Sequence, residues 1–148
     1  MSREYPDRPF VGLGVVVLRP GMEDVPEVLL ARRGKAPNQG SWSLPGGAQE
    51  LGETAEDGAR REIAEECGLQ LGALQLAANV DIIRRDPDGR VRFHYTIIDF
   101  AAWWQGDAAR PGDDVDAVAW VAVSGLAPYA LSAEAHRVIA IARGLLGC

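Results

Sequence analysis

Three carboxylates at positions 62, 65 and 66, in the run "ARREIAEECGL", constrain this chain more than any other feature. Thr54 suits a helix N-cap, with Asp57 three residues on as its reciprocal partner, and Glu56 and Asp57 suit the positive end of a helix dipole. Gly68 suits the left-handed position that ends a helix. The segment therefore predicts a helix from near Thr54 to Gly68. On it Glu62, Glu65 and Glu66 stand at i, i+3 and i+4 and share a face, while Ala59, Ile63 and Cys67 follow at i+4 steps as an adjoining apolar stripe that docks on a core. Like charges at this spacing oppose the helix when solvated, and oppose it more when half buried, through raised carboxylate pKa values. A positive partner is required. A solvated face paired with arginines would meet that need, but the Gly-Gly turn directly ahead of the helix lets backbone carbonyls approach the same point. Clustered hard oxygen ligands of this kind are what Mg²⁺ or Mn²⁺ prefers.

The rest of the chain supplies the surface that such a helix needs. "FVGLGVVVLR" (Phe10 to Arg19) and "PEVLLARR" (Pro26 to Arg33) read as strands across a Pro/Gly/Asp turn. Residues 34–47, rich in Gly, Pro, Asn and Ser, read as a structured loop. Two β-rich segments, "LQLAANVDIIRRD" and "VRFHYTIIDFAAWW", are joined through Asp88-Gly89, a hairpin signal. The acidic loop 106–116 follows, then the short strand "AVAWVAV", then an amphipathic helix from Leu131 to Leu146 with Ser132 as its cap. No repeat or linker interrupts this order. The expectation is one domain over residues 1–148, of α/β class, with a mixed sheet carrying helices.

Composition narrows the function. The 148 residues are 47% hydrophobic with a formal net charge of −6; that balance opposes a duplex-binding surface, which wants clustered Lys and Arg, so no nucleic-acid partner is expected. No apolar run is long enough for a membrane span, and "MSREYPDRPF" lacks a signal-peptide core, so no membrane partner and a cytoplasmic location are expected. Two cysteines, Cys67 and Cys148, make neither a disulfide framework nor a metal knuckle. Basic pairs at Arg32-Arg33, Arg60-Arg61 and Arg84-Arg85 suit salt bridges or solvated edges, with one phosphorylated small molecule as the other reading.

The stretch from Gly47 to Leu69 resembles the Nudix box: G, five residues, E, seven residues, then R-E-U-x-E-E-x-G-U with U a bulky aliphatic. Gly47, Glu53, Arg61, Glu62, Ile63, Glu65, Glu66, Gly68 and Leu69 fill its defined positions, and "SWSLPGG" looks like the usual lead-in. The resemblance implies an α/β/α sandwich and a MutT-like hydrolase, closest in look to the small bacterial ADP-ribose pyrophosphatase-like branch. It implies that Glu62, Glu65 and Glu66 hold a divalent metal with the Gly46 carbonyl, and that Glu53 pairs with Arg61 and orients the helix. The implied reaction is hydrolysis of a nucleoside diphosphate linked to another moiety, a small-molecule substrate, by water attack on phosphorus.

The general base is open between Glu65 and a downstream carboxylate, for which Asp113 and Asp114 are the candidates with Asp107 behind them; an ordinary acidic turn is the alternative for that loop. Trp42, Phe93, His94 and Tyr95 are candidates for base stacking or for core. Trp103-Trp104 marks either a homodimer contact or the edge of the sandwich core. Two other functions stay in view, a (d)NTP pyrophosphohydrolase of the MutT housecleaning type and a non-catalytic Nudix ligand-binding regulator.

Overall fold

The run Val15-Val16-Val17-Leu18 is apolar at every position, the pattern of a strand covered on both faces, and all four residues are fully buried. The computed structural model describes residues 3–148. It places this run in β1 (Phe10–Arg19), the middle of a seven-stranded sheet. The remaining strands are β2 (Glu27–Arg33), β3 (Trp42–Ser43), β4 (Gly46–Ala48), β5 (Gln75–Arg85), β6 (Val91–Trp103) and β7 (Val115–Ala122). Strand order is β3-β2-β1-β6-β5, with β4 also on β1 and β7 also on β2. β1 and β6 are parallel, and the other pairs are antiparallel, so the sheet is mixed.

The helices α1 (Ala55–Cys67) and α2 (Ala133–Leu146) cover opposite faces. Val15, Val17, Leu29 and Phe100 pack with Ala59, Ile63 and Cys67 of α1. Val16, Leu18, Val28 and Leu30 pack with Val138, Ile139 and Ala142 of α2. Successive β1 and β2 residues thus feed alternate layers, as the two-residue strand period requires. The result is an α/β/α sandwich.

Local signals explain the helix ends. Thr54 Oγ1 accepts from Asp57 N at 3.0 Å, although among the described residues no reciprocal bond runs from the Asp57 side chain. Gly68 takes the left-handed conformation and donates to Ala64 O. Ser132 Oγ caps α2 by accepting from Ala135 N at 3.1 Å.

The loop expected at 34–47 differs in one respect: it holds β3 and β4. Both are very short strands whose partners are remote in sequence, β2 for β3 and Gly12–Gly14 of β1 for β4, so turn composition dominates the local signal while tertiary pairing decides the outcome. Trp103 packs against the α2-side core and Trp104 against the α1-side core, with Trp104 edge-on to Trp120 and Arg19 stacked over Trp120 at 4.4 Å. The tandem tryptophans therefore sit at the edge of the core. Trp42 meets Tyr129 in a T-shaped pair, and Tyr95 meets Phe10. Among the described residues no helix is long and apolar enough to cross a membrane.

Candidate functional site

Arg61 is the hub of the acidic helix. Its Nε and one terminal nitrogen donate to the two carboxylate oxygens of Glu53 at 3.0 and 2.7 Å, and that same terminal nitrogen reaches Ala48 O at 3.0 Å. Its other terminal nitrogen donates to Glu62 Oε1 at 2.8 Å and Glu65 Oε2 at 3.3 Å. Bidentate Arg–carboxylate pairs are strong and geometrically specific. Arg61 and the Glu50 amide together hold the Glu53 carboxyl down at about 2. The turn before α1 is thereby tied both to the helix and to β4.

Glu66 is stabilised differently. It faces β4, where Gly46 N donates to its Oε1 at 2.9 Å, and burial, aided by the nearby charges of Glu62, Asp113 and Asp114, pushes its carboxyl up to about 7. Burial also raises Glu62, against the pull of Arg61, and Glu65 and Asp113 add to the rise. Gly47 is the other half of this arrangement: a Cβ there would overlap the Glu62 carboxylate. Only glycine lets that side chain lie across β4.

The loop after β6 reaches the same place because it caps the end of α1. Arg110 N donates to Cys67 O at 2.9 Å and Gly112 N to Glu66 O at 3.0 Å, which satisfies carbonyls that a helix C-terminus leaves open. Asp113, in a left-handed conformation, follows directly. The Lys35 ammonium, 2.7 Å away, holds the Asp114 carboxyl below the usual carboxylate range. Asp107 lies elsewhere: its Oδ2 accepts from Gln70 N at 3.0 Å, beyond the helix end, and its Oδ1 is buried without a hydrogen-bond partner.

The structure thus brings Glu53, Arg61, Glu62 and Glu65 into one network, and sets Glu66 beside Gly46 with Asp113 and Asp114 close by. Among the described residues no three acidic, His or Cys side chains converge as a finished metal cage; Arg61 engages Glu62 and Glu65, and Glu66 accepts from Gly46 N. The donor set still suits a hard divalent cation. All the donors are oxygens, two of the carboxyls are partly desolvated with raised pKa values, and a positive charge is what such a cluster wants.

A cavity of about 110 Å³ beside Glu66 is lined by Arg33, Ser41, Ser43, Gly46 and Asp114. Arg33 is the one member of the basic pairs in this lining. Arg32 pairs with Asp116, Arg60 donates to Leu71 O and Gly72 O, and Arg84 faces Glu134. A second cavity, of about 210 Å³, opens on the α2 side and shares Ser43, Leu44 and Gly46 with the first. Its buried polar member is Asp99, which sequence reasoning passed over. The hint available was an acid inside the apolar run "TIIDFAA".

The NUDIX domain family matches residues 8–140 of the chain. The protein belongs to the NUDIX family. It is 37% identical over 106 residues to a putative mutator protein MutT4 of Mycobacterium tuberculosis, covering 71% of this chain and 42% of that protein. It is 33% identical over 108 residues to an ADP-ribose pyrophosphatase of Methanocaldococcus jannaschii, covering 73% of this chain and 62% of that one. The NUDIX chain therefore spans roughly half of the length of these curated relatives. In fold it is similar to a MutT NUDIX hydrolase from Burkholderia pseudomallei (TM-score 0.75, 29% identity, covering 90% of this chain and 98% of that one). It is also similar in fold to the NUDIX domain of Shewanella oneidensis NrtR complexed with ADP ribose (TM-score 0.78, 22% identity, covering 95% of this chain and 90% of that one).

Proposed function

We propose that the protein is a metal-dependent hydrolase of a nucleoside diphosphate linked to a further group, with ADP-ribose the first substrate to test. The observation that carries this reading is the pair of half-buried carboxylates, Glu62 and Glu66, set against Gly46 and Gly47 with Asp113 beside them. Together with Glu65 and the Gly46 carbonyl they would hold Mg²⁺ or Mn²⁺. When bound there, such a cation would neutralise charge on the diphosphate oxygens and lower the pKa of water.

The chain's own residues do the rest. Glu53 and Arg61 lock α1 to β4, so that Glu62 and Glu66 keep their places. Asp113 stands on the loop that caps α1 and takes the proton of the attacking water, with Glu65, bound only weakly to Arg61, as the other candidate. Arg33 and Lys35 provide positive charge near the cavity at which an anionic leaving phosphate departs. The identity to the ADP-ribose pyrophosphatase supports the first substrate. The higher identity to the putative mutator protein supports a second reading, a nucleoside triphosphate pyrophosphohydrolase of the MutT type acting through the same residues.

The test is turnover on ADP-ribose, sugar nucleotides, dinucleoside polyphosphates and normal and oxidised dNTPs, each with Mg²⁺, Mn²⁺ or EDTA. Metal-dependent cleavage of one class, lost in Glu66→Gln, is the expected result. Silence across the panel with metal still bound would point to a ligand-binding regulator instead.

A further inference from the structure

Asp99 lies on β6 directly beside Gly14 of β1 in the parallel pair. It is 5% exposed, the one buried charged residue among the described residues. Its carboxylate has no hydrogen-bond donor within reach among those residues, and Arg137 acts on it only through its charge. A Cβ on residue 14 would overlap Asp99 Oδ1, so the glycine is what leaves the carboxylate its space. Burying a carboxylate that no protein group pairs is unfavourable; Asp99 lines a cavity, which leaves its oxygens open to water or to a ligand.

That cavity has aliphatic walls, Leu44, Val80, Ile82, Ile97 and Val138 among them. Its volume of about 210 Å³ is below the roughly 300–1,000 Å³ of drug-sized sites and suits a single planar ring system. Of the other polar lining groups, Ser132 is committed to capping α2, Glu134 faces Arg84, and Ser43 stands in the lining shared with the first cavity. Asp99 is the buried charged group of the lining, with two acceptor oxygens to fix the orientation of a ring. The two cavities share Ser43, Leu44 and Gly46 in their linings, so a ring in the larger one would stand next to the cavity beside Glu66.

From this geometry we infer that Asp99 is a specificity-determining residue, accepting two hydrogen bonds from a nucleobase edge that carries a ring N–H beside an exocyclic amino group, as guanine does. The inference rests on reading the neighbouring acids as the phosphate-handling centre, and of the two substrate readings of that centre it favours a guanine nucleotide of the MutT type over ADP-ribose. An ionised carboxylate is acceptor-only and matches two adjacent donors. Adenine offers a donor beside an acceptor, and that acceptor would face a carboxylate oxygen. Burial pushes Asp99 up to about 6, so at pH 8 it is ionised in the free protein and an adenine ring would have to bring a proton with it. An Asn at this position presents one acceptor and one donor, the complement of the adenine edge.

The experiment is ligand-observed NMR binding of guanosine, inosine and adenosine, without phosphates or metal, in EDTA at pH 8. Guanosine should bind about tenfold more tightly than inosine, which lacks the 2-amino donor, as expected for one charge-assisted hydrogen bond. Adenosine should bind more weakly still, and in Asp99→Asn adenosine should overtake guanosine. Equal affinities, an adenosine preference in the unmodified protein, or no nucleoside binding at all would overturn the inference, whether or not the variant folds. Hydrolysis is scored separately: a guanosine preference without cleavage of any phosphorylated derivative would sink the hydrolase reading and leave the role of Asp99 standing.

Discussion

Arg61 clamps both carboxylate oxygens of Glu53, at 2.7 and 3.0 Å, and with its remaining nitrogen holds Glu62 and Glu65. One guanidinium thus anchors the turn before α1 and stands in the middle of the acids that would receive a cation. Its five donors in a rigid fork make this geometry available to Arg and not to Lys.

The clamp has a pH signature. The folded Glu53 carboxyl titrates at about 2 against an ordinary 4.5; a depressed acid contributes stability that is fully present above its unfolded pKa and is lost as pH falls from about 4.5 toward 2. Glu53→Gln should therefore lower the urea midpoint at pH 7, and the gap from the unmodified protein should close by pH 2 to 3. A gap that is the same at both pH values would mean that the pair does not stabilise through the charge of Glu53.

The two loop acids should separate. Asp113 has no side-chain hydrogen bond or ion pair among the described residues and its charge acts on both Glu62 and Glu66, whereas Asp114 is held by Lys35 at 2.7 Å. Asp113→Asn should lower kcat by about 10²–10⁴-fold, the range of a general base, and Asp114→Asn should leave it within about threefold, since an exposed ion pair is worth about 1 kcal/mol or less. Unchanged turnover in Asp113→Asn would remove that residue from the mechanism and shift the base to Glu65.

Asp99 predicts stability of the opposite sign. Its pKa is raised from 3.8 to about 6 by burial; a raised acid favours the folded state when protonated, and that advantage is lost as pH rises from about 4 through 6. In Asp99→Asn this loss is removed, so the variant should gain stability over the unmodified protein on going from pH 5 to pH 8, by about 1.5 kcal/mol, the part of the titration that lies above pH 5. Denaturant unfolding at the two pH values checks this, and a difference that does not vary with pH would contradict it.

Gly47 tests the site without touching an acid. The Cβ of Gly47→Ala would overlap the Glu62 carboxylate and force that side chain off β4, with an overpacking cost of about 1–3 kcal/mol. Turnover and Mg²⁺ affinity, read by calorimetry, should both fall while the far-ultraviolet circular dichroism spectrum stays the same. Unchanged Mg²⁺ affinity would show that Glu62 does not hold the cation.

Much of this molecule is legible in local chemistry. The α1 boundaries follow from Thr54 and Gly68, the docking face from the i+4 spacing of Ala59, Ile63 and Cys67, and the hairpin from Asp88-Gly89. These signals act within a few residues, where capping bonds, φ preference and apolar periodicity are decided. The strands β3 and β4 are not legible in this way, because two or three residues carry no periodicity of their own; they exist through partners on β2 and β1.

By itself the sequence determined which side chains are available and which stand together on α1: three glutamates on one helical face, with a pairing arginine and a pair of glycines ahead of them. Only the tertiary structure decided how they differ. Glu53 is held at about 2 by Arg61 and Glu66 is driven to about 7 by burial, two identical side chains separated by the charge and solvent around them. The same packing set Asp99 into an aliphatic cavity beside Gly14, a neighbour 85 positions away in the chain. Desolvation and long-range pairing depend on which surfaces the sheet brings together, and no local spacing encodes that.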